Sequence, residues 1–205
     1  MLISLIATVF YFARLNGKVQ MTVAVLAVFT ALYGFFDIPF IKSKKKLRDL
    51  GLLKTIFVAV VWSVTTVIVP LGDTFVETDM MVFLLLRRFL FILALTIPFE
   101  IKDMTTDREH NLKTLPLIYG VSNTKLLAQG ILFLLMIILT MQYLFFDFSL
   151  FNMVAVNLSL LVSVFCIQPV SEETHDKWYY IVLDGMMILQ MGLVHVASYL
   201  AQVSI

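Results

Sequence analysis

Apolar residues along this chain run in long blocks rather than in alternation with polar ones. Seven blocks stand out, at 1–13, 19–41, 52–71, 80–99, 126–146, 148–169 and 178–203. Six of them reach the roughly 20 residues that a helix rising about 1.5 Å per residue needs to cross about 30 Å of hydrocarbon. In lipid a backbone must pair its polar groups within the segment, so helices are the expected form. The blocks are also too long and too uniformly apolar for the alternating strands of a membrane barrel. The pattern therefore predicts an all-α, polytopic transmembrane bundle of about seven helices. The first block is short, with 13 residues before Arg14, or about 20 Å of helix. It lacks the basic start of a signal peptide, and ARLNGK is a poor cleavage site. The expectation is a helix that begins before Met1. The short loops and the absence of a Gly- or Pro-rich linker point to one transmembrane domain over 1–205, incomplete at its N-terminus.

Composition agrees with lipid as the solvent. The chain is 60% hydrophobic and only 14% charged, where soluble domains have about a quarter of their residues charged. Its single cysteine, Cys166, lies in the apolar run LLVSVFCI and reads as a small buried hydrophobe. Net charge, +1, says little, but its placement says more. If the segments alternate across the bilayer, Lys42, Lys44, Lys45, Lys46, Arg48, Lys54, Lys102, Arg108, Lys113, Lys125 and Lys177 share one side. The other side holds Arg14 and Lys18, with Asp73, Glu77, Asp79 and Asp147. By the positive-inside rule the basic loops, 42–54 and 100–125 among them, are cytoplasmic.

One loop concentrates the charge. FEIKDMTTDREHNLKTLP (99–116) holds seven of the chain's 29 Asp, Glu, Lys and Arg residues. Glu100, Asp103 and Asp107 fall at i, i+3 and i+7, so they share one helix face if the preceding helix continues past Pro98. Carboxylates so placed repel one another. A divalent cation would reverse that, and Mg²⁺ is usually held by one or two carboxylates with phosphates and water. Arg108 and Lys113 stand nearby to meet diphosphate oxygens. The same spacing also suits a solvated loop that anchors a helix end.

The stretch DMTTDREHNLKTLPLIYG (103–120) resembles the second aspartate-rich motif of the UbiA superfamily of intramembrane prenyltransferases. That motif reads D-x-x-x-D-R, a few residues, T-L-P, and a glycine at the start of the next helix. Asp103, Asp107, Arg108, Thr114, Leu115, Pro116 and Gly120 match it. Many members carry a further glycine between the D-R and T-L-P elements, where this chain has His110 and Asn111. Tyr33 and the run Lys42 to Arg48 look like the family's tyrosine-and-basic cytoplasmic loop.

The resemblance implies that the blocks correspond to the last seven of nine family helices. It implies a membrane-embedded transfer of a polyprenyl group from its diphosphate to a lipophilic, aromatic acceptor with Mg²⁺ as cofactor, and no nucleic-acid partner. Asp103 and Asp107 would act in catalysis by holding metal, with Glu100 as a third ligand; Arg108, Lys113 and Lys45 would hold the diphosphate. The family uses two such motifs. The first, of N-D-x-x-D type, does not occur here and is expected upstream of a truncated start, unless it is degenerate or the chain is a non-catalytic isoprenoid-binding member.

Polar residues inside the blocks keep a different class open. Arg87 and Arg88 lie in LLLRRFLF, and Asp184 and His195 are about three helical turns apart. Charge at such depth is costly and marks function by default, so a small transporter or channel with these residues as its pathway is the alternative. Snorkelling of the arginines and interhelical hydrogen bonding by the other two are the plainer readings.

Overall fold

The computed structural model describes residues 8, 10–35, 52–72, 74–145 and 149–203. The described residues are helical and contain no strand, as the block pattern predicts. Five helices are long and apolar enough to cross a bilayer, and a shorter apolar helix covers Gly17–Ala31. Of the seven blocks, 1–13 falls largely outside the described residues and 19–41 is described to residue 35.

Two compact units divide the chain, Met1–Phe89 and Leu90–Ile205. In the first, α1 (Gly17–Phe35) packs on α2 (Leu52–Leu71). Asn16 starts α1, its Oδ1 accepting from the Val19 N–H at 2.8 Å and so satisfying a donor that a helix start leaves open. Along α2 the hydroxyls turn back onto carbonyls one turn earlier, Ser63 to Ala59 and Thr65 to Val61. That is how a hydroxyl is satisfied where water is scarce. The unit also includes the start of α3 (Thr78–Lys102). Here the Arg88 Nε donates to Thr66 Oγ1 at 3.1 Å, and the Arg87 guanidinium lies 5.8 Å from the Phe83 ring centroid.

The second unit holds the rest of α3, then α4 (Met104–Glu109), α5 (Leu115–Phe145), α6 (Leu150–Ile167), a π-helical turn (Trp178–Leu183) and α7 (Gly185–Val203). Every buried residue of α3 lies between Phe91 and Ile101. These pack with Leu132, Leu135 and Leu139 of α5, Leu160 and Ile167 of α6, and Tyr179 and Leu183 of the π-turn into one core. α5 starts at Leu115, well before the apolar block at 126: Ile118 N donates to Thr114 O at 3.1 Å, and the helix resumes through the mixed stretch 117–125 past a non-helical Gly120.

Apolar area alone does not drive helices together in lipid, where tails are as apolar as leucine; close packing of small residues and interhelical hydrogen bonds do. α6 supplies both. Ala155, Ser159 and Ser163 recur every fourth residue and are buried, and the Gln190 amide of α7 donates to Ser159 Oγ at 3.2 Å. Near the other end of the pair, Ser198 Oγ donates to Asn152 Oδ1 at 3.1 Å. Ser159→Leu is expected to destabilise the protein by about 1–3 kcal/mol through overpacking. Thermal unfolding in detergent would show it, with Ser159→Ala much milder.

Candidate functional site

The charged stretch folds as two capped turns at one end of the second unit. α3 does continue past Pro98, reaching Lys102, as the shared-face expectation required. The ladder then carries on across the junction, with Asp103 N donating to Phe99 O at 3.1 Å and Asp107 N to Asp103 O at 2.9 Å. Asp103 and Asp107 are therefore one helical turn apart. Ile97, Glu100, Ile101, Met104 and Asp107 form the buried stripe of this segment, while Thr105, Thr106, Arg108 and Glu109 face outward. Asp103 occupies the position before α4, but its carboxylate makes no capping bond to the helix.

Two backbone positions set the path beyond α4. Leu112 N donates to Asp107 O and Asn111 N to Arg108 O, and Asn111 has φ of 54°. This is the Schellman arrangement, which needs a left-handed residue at that place; asparagine is the best substitute for glycine there. Gly120 is the second, with φ 83° and ψ 161° interrupting α5. That region of backbone space is essentially reserved for glycine. A Cβ at Gly120 would touch nothing within 4 Å, so Gly120→Ala isolates the backbone effect. It is expected to cost about 1–3 kcal/mol of stability, read as a lowered melting temperature.

Thr114, Leu115 and Pro116 open α5. Pro116 falls where a helix has no use for its missing N–H. Thr114 Oγ1 is buried without a hydrogen-bond partner, so it does not cap the helix. The cap comes from Glu100, whose Oε2 accepts from Leu115 N at 3.0 Å. A buried carboxylate thus satisfies an open donor at a helix N-terminus, where the helix dipole also favours negative charge. Glu100 ties the two ends of the stretch together.

The loop between α6 and the π-turn closes the same end. Arg108 Nη2 lies 3.8 Å from Glu172 Oε1. Lys102 Nζ contacts Tyr180 OH at 2.6 Å and Asp176 Oδ1 at 3.7 Å, and lies over the Tyr180 ring. Phe99 packs against both Tyr179 and Tyr180, at 5.4 and 6.3 Å between centroids. In a regular α-helix adjacent side chains point about 100° apart; the wider π-turn brings both rings to Phe99. α6 ends on two capped carbonyls: Trp178 Nε1 donates to Cys166 O and Lys125 Nζ to Gln168 O.

The remaining candidates are placed as follows. Lys113 is exposed between the two turns, and Lys45 and the run around it lie outside the described residues. Arg87 and Arg88 belong to the first unit, whereas Asp184 and His195 are exposed in the second. Among the described residues, no group of three His, Cys, Asp or Glu is placed to hold a metal ion. The donor chemistry fits a pair rather than a cage. Asp103 and Asp107 offer hard oxygen ligands one turn apart, which Mg²⁺ takes with phosphate and water, while Glu100 is engaged with Leu115. The partners Lys102, Glu172, Asp176 and Tyr180 were not legible from spacing, because segments this far apart in sequence, 78 residues for Lys102 and Tyr180, carry no common periodicity.

The chain is an all-helical, multi-pass integral membrane protein with a capped acidic turn at one end of its helices. Comparison with family models, curated proteins and solved structures gives no match.

Proposed function

We propose that the protein is a UbiA-type prenyltransferase, moving a polyprenyl group from its diphosphate to a lipophilic, aromatic acceptor. The observation that carries this reading is the backbone of the D-x-x-x-D-R…T-L-P…G stretch. The motif's glycine, Gly120, has positive φ, as does Asn111, one of the two residues found where many members carry a further glycine, and the two aspartates precede them one turn apart. Glycine is the residue that tolerates such backbone best, so a glycine at 120 suits the turn this reading needs.

In this reading Asp103 and Asp107 would hold Mg²⁺ through their hard carboxylate oxygens. When bound, the ion neutralises charge that builds on the diphosphate as its allylic C–O bond breaks. Arg108 and Lys113 would orient the diphosphate oxygens; Lys45, which the family resemblance assigns the same role, lies outside the described residues. Glu100 holds the stretch in shape. The apolar helices shelter the allylic cation from water until the acceptor attacks it and gives up a proton. The basic stretches 42–54 and 100–125 face the cytoplasm under the positive-inside rule, so the water-soluble end of the substrate is met on that side.

The test is transfer of a radiolabelled prenyl group in membranes containing the protein, with Mg²⁺ present or chelated. Metal-dependent transfer is expected. Transfer that is indifferent to chelation, or to loss of both aspartates, would sink the assignment.

A further inference from the structure

The loop 171–177 is braced at its base and charged at its tip. Ser171 N donates to Thr174 Oγ1 at 2.8 Å and Thr174 N returns to Ser171 O at 3.1 Å, closing a tight turn. Tyr179 OH reaches Ser171 O, and Trp178 Nε1 holds Cys166 O. These bonds fix the loop to α6 and the π-turn. Its side-chain links to the acidic stretch include contacts of a different kind. They are the Arg108–Glu172 pair, with side chains 60% and 41% exposed, and the Lys102–Asp176 pair, backed by the short Lys102–Tyr180 contact. A hydrogen-bonded turn is thus joined to the Asp103–Arg108 turn through cations that also suit phosphate oxygens.

We propose that residues 171–177 form an electrostatic strap over the Asp103–Arg108 turn, with Glu172 and Asp176 standing in for a polyanion. A diphosphate taking Arg108 and Lys102 releases the strap and opens the turn. The release step rests on the prenyltransferase reading; the strap itself rests on the ion pairs. The device keeps two cations partnered between ligands, and it makes opening depend on an anion with enough charge to displace two carboxylates. A monovalent salt would only screen these pairs, of which Lys102 is the half-buried member.

Spin labels at Thr105→Cys and Glu173→Cys, both exposed positions, report the distance across the strap in the full chain with Cys166→Ala. Unmodified at the strap, the protein is expected to show one short, narrow distance. Glu172→Gln with Asp176→Asn should lengthen and broaden it, shifting the closed-to-open ratio by about two- to fivefold for each pair lost. Inorganic diphosphate should do the same to the parent protein, beyond sodium chloride at equal ionic strength, and add nothing to the double variant. An unchanged distance in the double variant overturns the strap. Diphosphate no better than chloride overturns its release by a polyanion. Absence of prenyl transfer with the diphosphate response intact would instead reject the enzyme reading and leave the strap standing.

Discussion

Alanine at Asp103 or Asp107 is expected to lower prenyl transfer by on the order of 100-fold or more, with the protein still folded in the membrane. The size follows from the chemistry proposed for the pair. Charge building on a departing diphosphate must be met by preorganised opposite charge, and removing a carboxylate removes what places that charge. The two positions are not equivalent in structure. Asp107 is 7% exposed and lies on the buried stripe, whereas Asp103 is half-buried at the α3–α4 junction. Asp107→Asn, which keeps the shape of the side chain, is therefore the cleaner probe of the buried position. Transfer rate at saturating substrate, read beside the melting temperature, separates lost chemistry from lost fold. Full transfer in both alanine variants would remove the metal pair from the mechanism.

Glu100→Ala is expected to produce the largest loss of stability in the acidic stretch, about 1.5–3 kcal/mol. The carboxylate is 3% exposed, and its Oε2 takes the Leu115 N–H that α5 leaves open. Truncation strands that buried donor and opens a gap beside Ile97, Ile101 and Leu115. Glu100→Gln keeps an acceptor oxygen and should recover about half of the loss, since bonds to charged groups are roughly twice as strong as neutral ones. Thermal unfolding in detergent measures both variants. If the alanine and glutamine variants melted together with the parent, the cap would have no energetic role.

Most of the architecture was legible in the sequence, because lipid leaves few choices. Blocks of about 20 apolar residues must become helices, and α2, α3, α6 and the last helical stretch fall where the blocks do. Local chemistry was also legible at Pro98, Gly120 and the T-L-P element. What spacing showed as three equivalent carboxylates, tertiary structure made unequal. Glu100 became a cap because α5 starts beside it, a fact that depends on Asn111 turning the chain through a left-handed residue. The start of α5 at Leu115 was hidden by Gly120 and the polar run 122–125, which separate Leu115 from the long apolar block at 126.

The sequence by itself determined a helical membrane chain with a dense run of charge in one short stretch. Only the tertiary structure decided which charges meet. Lys102 with Asp176 and Tyr180, Arg108 with Glu172, and Ser159 with Gln190 join residues far apart along the chain. The reason is physical. Hydropathy acts residue by residue against the solvent and leaves its mark in the local pattern, whereas a hydrogen bond or ion pair exists only once packing has brought its two halves within about 3–4 Å.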